Sequence, residues 1–520
     1  MEEPASLMTV IGPLDGKGLT GSIVADYLFR DTRPSSETTP AETTFKLDML
    51  HQARRRLSHF PHLLRLDSVD DIVFELKKFA TRGGELVVDI TTQQEGRNPA
   101  MLAKASMLSG VPIIMGASVP EDALDSKVVS EKLCHELQIG IEIPPIHHGA
   151  EASTESSISL QILGRRVRAG IIGEIRIGDG YVRQDRKRKC RYETIDRPLG
   201  SCGINEQNKS VDGDMTKSAS KLSRSELISL DGAALAHQRT KAAIMLRVVE
   251  VSNNATTFGD EDLDTGVIER DLANEAIEFL VAKGVDPGSI VVAGVEAALL
   301  LHASVNSCRR RNSSSSSDSS NSNSCSPLLS FDKVLVLCSG FGAAQVVDSD
   351  EPSYRIIASE SVAFPYSDDL LLRALAHSQL SDPPLRILLS QFVCSKLQLS
   401  RYGGSGYGHV CDEDGSVVAR LRCHLMQRGC TNSDDLAEKL SQNRALLPLL
   451  TWWRPPKEKD VEPLKSSCSW CGNRFIYDHN EHFSKYAFEY CKAKCLRSHR
   501  KAGFVEGVTA ATPIASGAKG

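Results

Sequence analysis

Residues 387–409 read ILLSQFVCSKLQLSRYGGSGYGH, in which a short apolar run leads into a segment rich in glycine and tyrosine. The apolar run predicts a strand at Arg386–Phe392, because short apolar, β-branched runs favour extended backbone. The segment behind it contains Lys396, Tyr402-Gly403-Gly404 and Gly406-Tyr407. This stretch therefore predicts a strand that is followed by a glycine-rich loop.

Seven comparable runs precede it along the chain. We predict strands at Ser22–Leu28, Glu85–Thr91, Val111–Gly116, Val167–Ile175, Ala242–Val249, Ser289–Val295 and Lys333–Cys338. Amphipathic helical patterns lie between most of them, at Asp67–Thr81, Pro99–Leu108, Asp122–Leu137, Ser225–Thr240, Ile268–Lys283 and Asp368–His377. Strands that alternate with helices predict parallel pairing through right-handed crossovers, and eight strands can close into a (β/α)₈ TIM barrel. A doubly wound open sheet fits the same pattern, although no glycine-rich phosphate loop opens any of these helices.

Four segments together resemble the phosphotriesterase-related branch of the amidohydrolase superfamily. The most specific is residues 387–409, and the others are GGELVVDITTQQEGRNPAMLAKASMLSGVPIIMGAS (Gly83–Ser118), RAGIIGEI (Arg168–Ile175) and GVDPGSIVV (Gly284–Val292). They occur in the family's order and cover residues 8 to 455. The resemblance implies a TIM barrel whose site lies at the carboxyl ends of the strands. In active relatives that site holds two divalent metals, which activate a water against small esters, lactones, amides or organophosphates.

The resemblance also assigns the family's six metal-site positions to residues of this chain. They correspond to Ala25, Tyr27, Glu174, Arg247, Gly294 and Phe392. Only Glu174 keeps the family's residue type, the anionic bridge between the metals. The family has histidines at 25, 27, 247 and 294 and an aspartate at 392. Alanine and glycine offer no donor atoms, phenylalanine is no base, and arginine stays protonated and cannot ligate a cation.

We therefore expect a pseudoenzyme, with no metal in the barrel and a ligand or partner bound at its mouth. The alternative is a surviving hydrolase of esters, lactones or amides, in which Glu174, Lys396 or His409 carries out acid–base chemistry. His147 and His148 are adjacent in a loop before the fourth strand, where surface residues are more common than metal ligands.

A lone Glu174 inside the barrel would be costly to bury without a positive partner. Arg247, on the neighbouring strand, carries a fixed charge, and we expect its guanidinium to stand where metal stands in relatives and to pair with Glu174. Arg247 could instead turn outward or pair with Glu250 or Glu296.

Polar segments interrupt the barrel pattern, which we place at residues 8–454. Residues 179–221 and 306–327 are predicted to be disordered insertions, because they cannot bury enough apolar area to offset their ordering entropy. Each contains a basic cluster, Arg186–Lys189 and Arg309–Arg311, which indicates either solvated charge or a patch for nuclear import or nucleic acid. Residues 455–466, which begin Pro455-Pro456, read as a stiff linker.

The last part of the chain contains two close cysteine pairs, Cys468-x2-Cys471 and Cys491-x3-Cys495. The second pair is spaced to place both thiolates on one face of a helix. Four thiolates can close a tetrahedral shell around a structural zinc, so we predict a zinc finger at 467–502 and a tail at 503–520. The spacing resembles treble-clef fingers of the MYM/TRASH type, which serve as protein-interaction or metal-binding modules. His479, His482 or His499 could replace one cysteine, and four unconnected thiols are the alternative to a metal site.

Composition limits the cellular compartments and the classes of partner that we expect for this chain. The 520 residues carry a net charge of −5, with 61 basic and 66 acidic side chains, so no global charge points to nucleic acid or membrane. Met1-Glu2-Glu3-Pro4 does not resemble a signal peptide, and no apolar stretch is long enough for a transmembrane helix. We expect a protein of the cytoplasm or the nucleus that binds a protein partner through its finger. A nuclear regulator recruited through the finger is a third hypothesis, and the basic end of the finger's helix gives nucleic acid weaker support.

Overall fold

The computed structural model describes residues 5–31, 47–55, 60–120, 124–143, 166–178, 221–249, 260–296, 298–303, 328–329, 333–339, 368–380, 384–411, 416–454, 465–468, 470–471, 474–476, 483–485 and 488–501. One compact unit is Pro4–Trp453, and a second contains Arg454–Gly520. The predicted insertions, linker and tail lie almost entirely outside the described residues, so those predictions stay open.

Eight parallel strands form the barrel wall, and each pairs with its neighbours in chain order. They are β1 (Ser22–Asp26), β2 (Gly84–Asp89), β3 (Ile113–Ala117), β4 (Ala169–Ile177), β5 (Ile244–Val248), β6 (Ile290–Ala293), β7 (Leu335–Cys338) and β8 (Arg386–Leu389). All eight predicted strands are present, and the barrel is confirmed over the open sheet.

Helices follow most strands, as the right-handed crossover requires. Those at predicted positions are Val69–Thr81, Pro99–Ser109, Ser126–Gln138, Arg224–Thr240, Asp260–Ala282 and Asp368–Gln379. Among the described residues, helices that the sequence analysis missed include Leu50–Arg55, Ser416–Gln427, Ser433–Gln442 and Leu447–Leu450. Side-chain caps determine where several of these helices begin. For example, Ser223 and Glu226 form a reciprocal capping box that satisfies backbone N–H groups at the first turn of Arg224–Thr240.

Successive strand residues alternate between two hydrophobic cores. On β1, Ile23 and Ala25 face the barrel interior with Leu86 and Val88 of β2, whereas Val24 packs outside against the helices. This alternation follows from the two-residue period of a strand. A short strand pair, Ser6–Thr9 and Gly12–Leu14, joins Thr451–Trp453 in an antiparallel sheet that the sequence analysis did not predict.

Side chains join the two strands at the ends of the ladder, β1 and β8. Asn443 donates from Nδ2 to the carbonyl oxygens of Ile23 and Leu389, both at 2.6 Å, and its Oδ1 accepts from the Leu389 amide at 2.7 Å. Ser390 Oγ donates to the Ala25 carbonyl at 2.6 Å. Asn443 has a φ of 52°, a conformation that asparagine tolerates better than most residues. This side chain therefore closes the barrel where the sheet hydrogen bonds end.

Strands β1 and β8 are among those that end earlier than predicted. Beyond β1, the amides of Tyr27 and Leu28 donate to the carboxylates of Asp26 and Asp89, each at 2.9 Å. Beyond β8, Phe392 leaves the extended conformation with a φ of 59°.

Among the described helices, none is long and apolar enough to cross a membrane.

Asn443→Asp tests this closure. The variant keeps an acceptor and tolerates the backbone conformation, but it loses both donated bonds and places a carboxylate against two carbonyl oxygens. We expect the barrel to lose about 2–4 kcal/mol of unfolding free energy, measured by chemical denaturation. Asn432→Asp, the same change at an exposed residue, should stay within about 0.5 kcal/mol. Equal effects of the two variants would contradict the closing role of Asn443.

Candidate functional site

The retained carboxylate, Glu174, is held at one oxygen by two buried neighbours. Arg247 of β5 donates from Nε to Glu174 Oε2, and the Tyr27 hydroxyl donates to the same oxygen at 2.8 Å. Glu174 is 3% exposed, Arg247 6% and Tyr27 0%. The expected internal ion pair is therefore present. Glu296, one alternative partner, accepts instead from the Ser339 amide at 2.8 Å and hydroxyl at 2.9 Å, and Glu250 lies outside the described residues.

An irregularity in β4 accompanies the position of Glu174. The register of β4 against β5 pairs Ile172 with Ile244 and then Ile175 with Leu246, so the ladder shifts across the segment that contains Glu174. Arg247 itself lies opposite Arg176 in the same ladder.

The ion pair with Glu174 affects the pKa of Arg247 more than burial does. Burial alone would lower the pKa of this guanidinium, but the negative charge of Glu174 holds the pKa above its usual value. Arg247 therefore carries a permanent positive charge beside Glu174, at the position where the resemblance implies metal.

Two aromatic rings fill the space beside this ion pair. Tyr27 and Phe392 meet edge to face, with ring centroids 5.2 Å apart. The Arg247 guanidinium carbon lies 4.3 Å from the Phe392 centroid, close enough for a cation–π contact. Phe392, which the resemblance assigns to the position of a metal-binding aspartate, thus covers the cation.

A second buried ion cluster borders the same rings, and the sequence analysis missed it. Arg30 donates from Nη2 to Glu95 Oε1, and Arg176 approaches the same carboxylate at 3.4 Å. The Arg30 guanidinium carbon also lies 4.0 Å from the Tyr27 centroid. Burial tends to raise the pKa of Glu95, but Arg30 and Arg176 outweigh burial and lower it. The partners lie 65 and 81 residues from Glu95, so local spacing carried no signal of the cluster.

Two buried aspartates stand at the ends of β1 and β2. Asp26 accepts from the backbone amides of Tyr27 at 2.9 Å and Val393 at 2.6 Å, and burial raises its pKa to about 7. Burial likewise raises the pKa of Asp89 to about 6. Their bonds run mostly to backbone, which indicates that they shape the strand ends.

The remaining two positions that the resemblance assigns to the metal site offer no side-chain donor atom. Ala25 is buried in the barrel interior, in the same apolar cluster as Tyr27 and Phe392. Gly294 follows β6 with a φ of 74°, and a Cβ added there would overlap the carbonyl oxygen of Val248. A histidine therefore cannot replace Gly294 without backbone movement.

The other catalytic candidates have partners of their own. Lys396 pairs with Asp67 at 3.0 Å, and His409 lies 3.3 Å from Asp368. No contact between either residue and Glu174 occurs among the described residues. His147 and His148 lie outside the described residues.

The glycine and tyrosine motif after β8 has a structural role. Tyr402 donates from its hydroxyl to Asp71 at 2.9 Å, and Arg401 pairs with the same carboxylate at 2.6 Å. Tyr407 is fully buried and donates to the Tyr27 carbonyl at 2.7 Å. These contacts tie the loop to the helix Val69–Thr81 and to the end of β1. The motif therefore stabilises the fold and has no evident chemical role.

The four predicted cysteines converge in the second unit. The sulfur atoms of Cys468, Cys471, Cys491 and Cys495 all lie within 4.8 Å of one another, and the distances Cys471–Cys491 and Cys491–Cys495 are 3.5 Å and 3.9 Å. Tetrahedral zinc with Zn–S bonds of about 2.3 Å needs sulfurs ~3.8 Å apart. Burial tends to raise the pKa of Cys468, but backbone N–H groups of Cys471 and Cys491 outweigh it and bring the pKa to about 7. The set fits zinc, with these thiolates as its ligands.

His499 packs the module instead of replacing a cysteine. It is 1% exposed, lies 2.9 Å from the Tyr490 hydroxyl through Nδ1, and stacks at a tilt on Trp470 with centroids 5.6 Å apart. It lies on the helix Ala493–Lys501, which also carries Cys495. His479 and His482 are outside the described residues.

Comparisons with known proteins support both parts of this architecture. The family model of the Vms1-associating treble clef domain matches residues 465–507. N-acetyltaurine hydrolase from Salmo salar is 27% identical over 176 residues, which are 32% of this chain and 47% of that protein. The enzyme of the same name from Rattus norvegicus is 27% identical over 195 residues, 36% of this chain and 52% of that protein. The chain thus spans about half the length of these curated relatives.

A solved structure shows the same fold. The resiniferatoxin-binding protein from Rhodobacter sphaeroides aligns with a TM-score of 0.53 and 20% identity, covering 86% of this chain and 98% of that one. The predicted (β/α)₈ barrel with a C-terminal treble-clef zinc module is confirmed, and the relatives above support the predicted resemblance.

Arg247→Ala tests the buried ion pair. The substitution strands the Glu174 carboxylate, and we expect a loss of about 3–5 kcal/mol in the unfolding free energy of the barrel. Adding Glu174→Gln should recover part of that loss, because contacting residues are not additive. Denaturant titration of the two single variants and the double variant measures the coupling. Strict additivity would show that the two side chains do not stabilise each other.

Cys491→Ser tests the zinc module in the full chain. Because binding and folding are coupled in small zinc domains, the variant should release its zinc and unfold the module, while the barrel melts at an unchanged temperature. Metal analysis and calorimetry measure both effects. Cys423→Ser, a change at an exposed thiol of the barrel, should keep the zinc. Retention of a full equivalent of zinc by Cys491→Ser would remove this cysteine from the ligand set.

Proposed function

We propose that the barrel is a non-catalytic derivative of a metal-dependent hydrolase, which binds a ligand or partner at the former active site. The observation that carries this proposal is the occupation of Glu174 Oε2 by the Arg247 guanidinium and the Tyr27 hydroxyl. The resemblance implies that the residue at position 174 bridges two metal cations in relatives. Here Glu174 pairs instead with the Arg247 side chain of its own chain.

Electrostatics oppose a divalent ion at this carboxylate. Two unit charges 4 Å apart interact with about 4 kcal/mol at an effective dielectric constant of 20, so a divalent ion beside Arg247 would meet roughly 8 kcal/mol of repulsion. The pKa of Arg247 lies above its usual value, so the guanidinium cannot relieve this repulsion by losing its proton.

The chemistry of the site supports the same proposal. Hydrolysis needs a group that takes a proton from water, and Phe392 stands at the position that provides this group in relatives. A positioned general base typically contributes about 10²–10⁴ in rate. Lys396 and His409 are paired with Asp67 and Asp368, so neither compensates through contact with Glu174.

Amide hydrolysis is the second candidate, and the names of the curated relatives favour it. Both sequences reported above belong to N-acetyltaurine hydrolases, and this chain retains Glu174. In this alternative, Arg247 would move away from Glu174 when a metal binds, and an N-acyl amino acid or N-acyl taurine would be the substrate.

We further propose that the zinc module recruits a protein partner in the cytoplasm or the nucleus. Its thiolates form a closed ligand set, which is typical of structural and not of catalytic zinc. The helix Ala493–Lys501 exposes Lys494, Arg497, Arg500 and Lys501. This basic surface favours an acidic partner, and a nuclear role through the same surface is the third hypothesis.

Metal content and activity of the full-length Cys491→Ser chain decide between the first two candidates. With the finger's zinc removed, we expect no stoichiometric divalent metal and no hydrolysis of N-acetyltaurine, a simple ester or a lactone after incubation with zinc or manganese. Two bound ions together with turnover would contradict the proposal, provided that Glu174→Gln abolishes the turnover. Activity that persists in Glu174→Gln would come from a contaminant and would leave the proposal standing.

A further inference from the structure

The cysteines of the zinc module differ in their exposure to solvent. Cys471, Cys491 and Cys495 are partly exposed. Cys468, the fourth cysteine, is 2% exposed. A small oxidant dissolved in water can therefore reach three of the four residues. The thiolate is both the form of cysteine that ligates a metal and the form that oxidants attack, so the ligand set combines access with the reactive protonation state.

Two of the exposed cysteines are close enough to form a disulfide. The sulfur atoms of Cys471 and Cys491 lie 3.5 Å apart, whereas those of Cys491 and Cys495 lie 3.9 Å apart. A disulfide needs about 2.05 Å, so the first pair has to close by roughly 1.5 Å. The two residues are 20 positions apart in the sequence. A disulfide between them therefore joins the two halves of the module that the zinc otherwise holds together.

The helix Ala493–Lys501 cannot maintain itself without outside contacts. It has nine residues, whereas isolated helices shorter than about 12–15 residues are marginal in water. Arg497 lies three positions after Lys494 and four before Lys501, and all three side chains are exposed cations. Like charges at these spacings destabilise a helix. Contacts with the rest of the module must therefore hold the helix in place.

Those contacts belong to the zinc ligands and to their immediate neighbours. Cys495 lies on the helix and is itself one of the four ligands. His499, the buried residue of this helix among those described, packs against Trp470 and Tyr490. Both aromatic residues directly precede a zinc ligand in the sequence, so the zinc site positions the surface on which His499 packs. Loss of zinc should therefore release the helix.

We propose that Cys471 and Cys491 form an oxidation site through which a peroxide controls the zinc module. One thiolate attacks a peroxide oxygen, which breaks the O–O bond, forms a sulfenic acid and releases hydroxide. The second thiolate attacks that sulfur and expels a second hydroxide, so the two sulfurs lose two electrons to the peroxide and form a disulfide. Without these two ligands the zinc leaves, and the helix with its basic surface unfolds. This regulation rests on the proposed function, because that surface is where we place the partner.

Titration of the full-length, zinc-loaded protein with hydrogen peroxide tests the site. We expect a chromogenic chelator to detect one released zinc ion for each Cys471–Cys491 disulfide that mass spectrometry maps. Reduction with a phosphine and addition of zinc should restore the zinc content, because a disulfide is reversible and a sulfinic acid is not. Zinc release without a disulfide, or with a disulfide between another pair, would overturn the inference. Retention of zinc after full oxidation of Cys423, an exposed thiol of the barrel, would overturn it as well.

Trypsin measures the state of the helix. After oxidation, cleavage behind Lys494 and Arg497 should become about tenfold faster, because local unfolding exposes the backbone to the protease. Cleavage behind Lys439, in the barrel helix Ser433–Gln442, serves as the internal control and should not change. Cys423→Ser should release zinc and expose the helix as the unmodified chain does. Unchanged cleavage behind Lys494 in a chain that has lost its zinc would refute the control of the basic surface.

These measurements need no partner, so the inference and the proposed function can fail separately. Absence of any protein partner for the zinc-loaded chain would refute the proposed recruitment and leave the oxidation site intact. Zinc and helix that persist under peroxide, in a chain that does bind a partner, would refute the oxidation site alone.

Discussion

A buried carboxylate must be neutralised, and much of the barrel mouth follows from how this chain neutralises Glu174. The resemblance implies metal beside this carboxylate, and in this structure Arg247 supplies a cation that folding delivers with the strand next to Glu174. Neighbouring side chains join the pair. Tyr27 donates to the same carboxylate oxygen, and Phe392 covers the guanidinium. The four side chains therefore form one packed unit.

The second cation, Arg30, extends the same principle around the ring pair. Glu95 neutralises Arg30 and also lies within ion-pair distance of Arg176, so two buried ion clusters contact the same pair of aromatic rings. Buried pairs of this kind add little net stability compared with apolar packing, although breaking them from one side is costly.

The sequence predicted the barrel because each strand is a short apolar run with a helix behind it, a pattern set by burial on both faces of the wall. The pair of Glu174 and Arg247 was also predictable, since adjacent strands carry both residues and an isolated buried charge needs a partner. The cluster of Arg30 with Glu95 was not, because its members are far apart along the chain and flank different strands. The role of Asn443 was not predicted either, because its partners Ile23 and Leu389 are also far away in the sequence. The roles of His147, His148 and the polar insertions stay predictions, because those residues lie outside the described parts of the chain.

Asn443 also has a consequence for how the protein folds during synthesis. It links β8 to β1 across 420 residues, so the barrel wall cannot close until nearly all of the barrel has left the ribosome. At about 5–20 residues per second, the first strand waits tens of seconds with an unpaired edge. Such an edge is a template for pairing with other chains. The edge of β1 in a nascent chain is therefore exposed to pairing with other chains throughout this period, and slow translation lengthens the period of aggregation risk.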